Sequence, residues 1–131
     1  MDLRKIVTQS APQALGPYSQ AIIIPANRPL IFVSGQLPID LQTQELLQGD
    51  IRAMTKLILE SIEAILQAGN SNLQLVIRTD VFLTNLKRDF SAMNEEYALH
   101  FSPHTPPARQ TIEVAGLPKG SPIEISCIAL Q

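Results

Sequence analysis

The chain has no tryptophan, one cysteine, two histidines and only 17% charged residues in 131 positions. Each scarcity excludes something. The lone Cys127 has no partner for an internal disulfide, which fits a reducing compartment. His100 and His104 stand four apart, the spacing of two ligands on one helix face, but Pro103 lies between them and no Cys or carboxylate spacing completes a set. No metal is expected. Lys and Arg number 10 against 12 Asp and Glu, giving a net charge of −2, and no basic run occurs. Binding driven by phosphate neutralisation is therefore disfavoured, and no nucleic-acid partner is expected. No apolar stretch approaches the ~18 residues of a membrane span. The opening MDLRKIVTQSAPQALGPYS has no uninterrupted apolar segment after its basic residues, so no secretory signal is read there. A cytoplasmic protein without membrane attachment is the expectation. The G-x-S-x-G, P-loop, Rossmann glycine and H-E-x-x-H patterns are also missing, and with them the standard hydrolase, NTPase, dehydrogenase and metalloprotease signatures.

What is present is apolar and evenly spread. Hydrophobic residues make up 45% of the chain and mean hydropathy is +0.11, enough for one real core. No repeat, linker or low-complexity run divides the sequence, so residues 1–131 read as a single domain. A charged fraction below the usual quarter or so hints at surface hidden by self-association.

QAIIIPA and LIFVSG are β-branched runs separated by the turn signal NRP, and read as two antiparallel strands. A polar loop follows. From Ile51 to Ala68, Ile51, Met54, Leu57, Ile58, Ile62, Ile65 and Leu66 recur at helical steps, with Asp50 as N-cap and Gly69 as stop. LQLVIRTDVFL supplies a third long strand. A second helix is expected from about Leu86 to Phe101, where Leu86, Phe90, Met93, Tyr97 and Phe101 share a face. ARQTIEV and IEISCIAL close the chain as strands, and a short strand around RKIVT is possible at the start. The fold class is α+β, one mixed sheet with both helices on one side. The other sheet face is apolar and calls for a partner, with a subunit interface as the natural candidate.

Within PPARQTIEV, alternation puts Arg109, Thr111 and Glu113 on one face and Gln110, Ile112 and Val114 on the other. In PIEISCIAL the same rule groups Glu124, Ser126 and Ile128. Should the two strands be near neighbours, Arg109 and Glu124 would face one cleft. There a guanidinium binds a carboxylate bidentately and a carboxylate orients water. The alternative is an Arg–Glu pair that satisfies only itself. GPYSQA and VSGQLP are turns. Gly35 is able to bare backbone N–H groups, and Tyr18 brings a ring to lid a pocket. Cys127, among Ile125, Ile128 and Ala129, reads as a buried small hydrophobe.

In order and spacing, APQALGPYSQA, IFVSGQLPID, NEEYALHF, PPARQTIEV and GLPKGSPIEISCIA resemble the Rid family of imine deaminases over nearly the whole chain. The resemblance implies a chorismate-mutase-like fold of the bacillary type and a homotrimer with clefts at its interfaces. It also implies cofactor-free hydrolysis of 2-imino acids, such as 2-iminobutanoate and 2-iminopropanoate, to 2-keto acids and ammonia. Such imines, or their enamine tautomers, escape from pyridoxal-phosphate enzymes. The family's older label, endoribonuclease or translation inhibitor, is the rival reading. A non-catalytic binder of small carboxylates is a third. The resemblance places the substrate-carboxylate arginine at Arg109 and the water-orienting glutamate at Glu124. The pocket residues fall on Tyr18, Ser34, Gly35 and Asn94. At position 111 Thr111 stands where the family's archetype has a cysteine, and its hydroxyl can still hydrogen-bond substrate or water.

Overall fold

A computed structural model describes residues 3–25 and 27–131. Met1, Asp2 and the Ala26 end of the QAIIIPA run lie outside the described residues. Six strands and two helices follow in the order β1 (Arg4–Ile6), β2 (Ala21–Ile23), β3 (Leu30–Gln36), α1 (Ile51–Ala68), β4 (Val76–Leu83), α2 (Leu86–Phe101), β5 (Ala108–Glu113) and β6 (Ile123–Leu130). Strands β3, β6, β4 and β5 form a mixed sheet in that order. All its neighbours are antiparallel except β4 and β5, which run parallel across the α2 connection. Both helices cover one face of this sheet, so the α+β architecture read from the sequence is the one that forms.

The helices begin and end where local chemistry dictates. The Asp50 side chain accepts from the Ala53 N–H at the start of α1, and the chain turns out of the helix at Gly69. The buried stripe of α1 comprises Thr55, Ile58, Leu59, Ile62 and Leu66. It is rotated slightly from the expected one: Leu59 is fully buried, whereas Ile65 is 40% exposed. In α2, Asn85 caps the Arg88 N–H, and the Glu113 carboxylate reaches from β5 to accept the Leu86 N–H at 3.0 Å. That second contact fixes where α2 lies across β5. Beneath the helices, Val33, Val81, Leu83, Ile123, Ile125, Cys127 and Ala129 alternate inward from the strands. Each fully buried aliphatic side chain of this kind contributes about 1.5–3 kcal/mol relative to exposure.

The first two expected strands form but do not pair with each other. β2 pairs with β1 as a separate ribbon, while β3 pairs with β6. Pro25 and Pro29 flank the turn between β2 and β3 and offer no N–H donors for a ladder there. β5 and β6 do not pair either, because β4 runs between them. The sheet face away from the helices carries Phe32, Phe82, Ile112 and Ile128, with Phe32 71% exposed. Amid these apolar groups, Arg78 bridges Asp80 and Gln110.

Candidate active site

Arg109 ends a row of four residues across the helix-covered face: Val33, Cys127, Thr79, Arg109. The first three are buried. The fourth sits half-buried on the edge strand β5, with its side chain held under α2. Its Nη1 donates to Asn94 Oδ1 at 2.7 Å. Its Cζ lies 4.7 Å from the ring centre of Tyr97, 5.6 Å from Tyr18 and 5.9 Å from Phe90. Three aromatic faces thus attract the cation. Among the described residues no carboxylate forms an ion pair with it. Burial lowers the guanidinium pKa, and the Tyr97 and Tyr18 side chains act in the opposite sense. The result is a fixed positive group with spare N–H donors and no anion of its own, the inverse of the self-satisfied Arg–Glu pair.

The surroundings are rigid for identifiable reasons. Tyr97 is buried, and its hydroxyl exchanges a 2.7 Å hydrogen bond with Thr79 Oγ1. Desolvation raises the Tyr97 pKa far above that of an ordinary phenol, so it stays neutral under Arg109. Tyr18 is placed by the segment that carries it. The Ser19 N–H donates to the Pro107 carbonyl, and the Ser19 hydroxyl to Pro106, tying GPYS to the PPAR entry of β5. Gly16 comes close to the guanidinium; a Cβ there would sit 3.7 Å from Arg109 Nη2.

Glu124 is elsewhere. On β6 it pairs with Phe82 of β4, which pairs with Ile112 of β5, so its side chain lies on the face away from the helices. Arg109 and Glu124 are therefore on opposite faces of one sheet, with β4 between their strands and three residues of offset along them, about 10 Å across the strands and about 10 Å along them. The single cleft imagined from alternation does not form within one chain. Glu124 instead meets Gly35. Two residues of β3, Ser34 and Gly35, are accommodated between the pairs Val33–Cys127 and Gln36–Ile125, where β6 has only Ser126. This is a bulge, a device that bends a strand and re-aims its groups. At the bulge a Cβ on Gly35 would stand 2.6 Å from both Cδ and Oε2 of Glu124. Only a glycine leaves room for the carboxylate in this position. Ser34 and Gly35 are both exposed, and among the described residues no hydrogen bond or ion pair occupies the Glu124 carboxylate.

Of the predicted site residues, then, Tyr18, Asn94 and Arg109 come together, with Thr111 on the same face of β5 one inward position further along. Ser34, Gly35 and Glu124 form a second group. Phe90 and Tyr97 were expected only as members of the α2 core stripe, yet both flank the guanidinium. The usable signal was their spacing from Asn94: residues 90, 94 and 97 fall on one helix face, and a helix linking two parallel strands must lie over them. His100 and His104 have separate partners, Glu96 at 2.8 Å and Gln74 at 3.2 Å. Cys127 is buried, and desolvation pushes its thiol up to about 12. Two cavities flank the groups. One of about 270 Å³ opens beside Gly16 and Tyr18 with Lys5 and Gln20 in its wall. An apolar one of about 440 Å³ runs from Gly35 past Leu37, Ile39 and Leu41 to Ile65 of α1.

Comparison with known proteins bears on what these two groups are for. The family model described as Endoribonuclease L-PSP matches residues 8–131, and a solved member of the conserved Rid protein family, YyfA from Yersinia pestis, is 39% identical with a TM-score of 0.75, covering 98% of this chain and 99% of that one. The chain belongs to the Rid family. Among curated Rid relatives, Protein DfrA of Myxococcus xanthus is 42% identical over 131 residues, 100% of this chain and 98% of the relative. Human 2-iminobutanoate/2-iminopropanoate deaminase is 38% identical over 128 residues, 98% of this chain and 90% of the relative. The structure of Escherichia coli TdcF with bound serine is 38% identical, TM-score 0.73, covering 98% of each chain. The Rid fold seen in these structures is the fold described above, and no described helix is long and apolar enough to cross a membrane.

Proposed function

We propose that this Rid protein hydrolyses 2-imino acids to 2-keto acids and ammonia, in clefts formed between copies of the chain. The observation that carries the reading is Arg109: a guanidinium fixed by Asn94 and three rings, with no internal carboxylate to compete for it. Such a group suits the carboxylate of a small acid. The relatives named as imine deaminases and the TdcF structure with a bound amino acid support the same choice.

The chemistry follows from what each group does. The substrate, R–C(=NH2+)–COO−, carries its electrophilic carbon next to the carboxylate, so clamping the carboxylate on Arg109 positions that carbon. Glu124 accepts a hydrogen bond from water and takes its proton as the oxygen adds to C2. Glu124 returns that proton to the nitrogen of the tetrahedral carbinolamine, which departs as ammonia as the C2 hydroxyl becomes the carbonyl, and the proton the hydroxyl gives up passes through the carboxylate to the ammonia, making ammonium. The products are R–CO–COO− and NH4+, and atoms and charge balance. Imines of this type hydrolyse in water unaided, so orientation and one base suffice for a modest acceleration.

Because Arg109 and Glu124 lie on opposite faces of the sheet, this mechanism requires them to come from different copies. The exposed apolar face bearing Phe32 and Ile112 is the surface a second copy would cover, and the closed assembly we propose is a homotrimer. The test is direct. Generate 2-iminobutanoate from threonine with a dehydratase and follow imine loss with and without the protein, for the wild type and Arg109→Ala. Acceleration lost in Arg109→Ala is expected. No acceleration by the wild type ends the proposal, and binding of 2-ketobutyrate without turnover would then favour a non-catalytic carboxylate binder. The endoribonuclease description of the family model favours a second reading. Cleavage of RNA by nuclease-free protein, abolished by Glu124→Gln, would establish it.

A further inference from the structure

The neighbour of Arg109 across the parallel ladder is polar. Thr79 of β4 pairs in register with Arg109 of β5 and is fully buried. Its Oγ1 shares a 2.7 Å hydrogen bond with the hydroxyl of Tyr97 on α2. Among the described residues neither hydroxyl has a second partner. Of the three rings around the guanidinium, Tyr97 is the nearest, at 4.7 Å, and the only one wholly removed from solvent. Its other aromatic neighbour, Phe101, is tilted by 37° with ring centres 4.5 Å apart. One hydroxyl–hydroxyl contact thus ties together the helix, the strand beside Arg109 and the ring beneath the cation.

Hydrophobic packing alone does not call for such a pair. Valine and phenylalanine have the same shapes, and replacing both partners of a buried hydrogen bond by apolar groups costs little stability. The bond does what apolar packing does not: it fixes the phenol oxygen at one point, and with it the tilt of the ring. The attraction between a cation and a ring depends on that placement, and most strongly where water is excluded. We propose that Thr79 is a positioning residue for the anion site. Through the Tyr97 hydroxyl it holds the ring on which Arg109 rests, so that the spare N–H donors of the guanidinium are aimed before a carboxylate arrives. This rests on the reading of Arg109 as carboxylate anchor. Asn94 holds the guanidinium at Nη1, and the Tyr97 ring lies beneath its Cζ. With both in place, an anion binds without reordering the arginine side chain, whose immobilisation otherwise costs affinity.

Unfolding and binding, measured on the same purified variants, separate positioning from stability. Thr79→Val and Tyr97→Phe each leave one buried hydroxyl unpaired and are expected to unfold at a lower temperature than wild type. The double variant removes both hydroxyls and is expected to regain most of that loss. Affinity for 2-ketobutyrate, measured by calorimetry, is expected to behave otherwise. It falls about tenfold in the double variant although stability is restored, since the ring is kept but no longer tied. Thr79→Ser retains a hydroxyl at the same place and is expected to bind as wild type does. Wild-type affinity in the double variant would reduce the pair to a packing contact and overturn the proposal. A loss in Thr79→Ser equal to that in Thr79→Val would overturn it too. The double variant keeps the test decisive should a single one fail to fold. Binding is read without turnover, so absence of imine hydrolysis by the wild type defeats the catalytic reading alone. If wild type does not bind 2-ketobutyrate, or Arg109→Ala binds it as tightly, the anchor fails and this inference with it. Weakened binding in Arg109→Ala with none in the double variant defeats this inference alone.

Discussion

Replacing Gly35 by alanine perturbs the Glu124 half-site without touching the carboxylate itself. The new Cβ would sit 2.6 Å from Cδ and Oε2 of Glu124 and 3.0 Å from Cγ. Ordinary contact begins near 3.4 Å, so the carboxylate must retreat by close to an ångström. Glu124 is the far end of a flexible side chain with an open side, so it can move at little cost. Gly35 is not among the glycines with positive φ, so alanine is compatible with the backbone, and the smaller entropy of the unfolded chain offsets part of any strain by about 0.4–1 kcal/mol. Stability is therefore expected to change little. Catalysis is a different matter: a misplacement of about 1 Å in a reacting group costs on the order of a hundredfold. We expect Gly35→Ala to reduce the rate of 2-iminobutanoate hydrolysis by about that factor, with an unfolding temperature within a few degrees of wild type. A double-mutant cycle with Glu124→Gln locates the cause. If alanine acts only by displacing the carboxylate, the double variant is no slower than Glu124→Gln alone. Gly35→Ala within twofold of wild type, or effects that multiply fully in the double variant, would refute the account of this glycine.

Three further expectations follow from the same contacts. Arg109→Ala and Glu124→Gln, each inactive alone, should regain activity when unfolded together and refolded as mixed oligomers, with about a quarter of the clefts carrying both intact residues if mixing is random. No recovery in verified mixed oligomers would place both groups in one chain's site or outside the site altogether. The buried thiol of Cys127, raised from 9.0 to about 12, holds its proton in the folded state after the unfolded chain has lost it. Stability contributed by this group is full below about pH 9 and declines as pH rises from there towards 12, by at most about 1.4 kcal/mol per unit. Denaturant titrations at pH 8 and pH 10.5 should show a smaller decline in Cys127→Ala than in wild type. Leu66→Ala, at a fully buried position of α1, should cost about 2–5 kcal/mol in denaturant unfolding, whereas Ile65→Ala on the open side of the same helix should cost well under half of that.

Several elements were legible because their signals are local. The 3.6-residue period of α1, its Asp50 cap and its Gly69 stop all lie within one stretch of chain, and the helix has the predicted bounds. The same holds for α2 and for the alternation that puts Arg109 and Thr111 on one face of β5. The α1 stripe was slightly misplaced because Ile65 and Leu59 are equally apolar in sequence, and only the direction from which the sheet approaches distinguishes them.

The primary sequence by itself determined the helices, the faces of each strand taken singly and membership of the Rid family, since all of these depend on near neighbours or on ordered motifs. Only the tertiary structure decided which strands sit side by side. Alternation assigns a residue to a face of its own strand, but the partner strand is chosen by long-range packing and by the crossover of α2. That choice placed β4 between β5 and β6, separated Arg109 from Glu124, brought Tyr18, Phe90 and Tyr97 around the guanidinium, and left Thr111 buried with an unused hydroxyl.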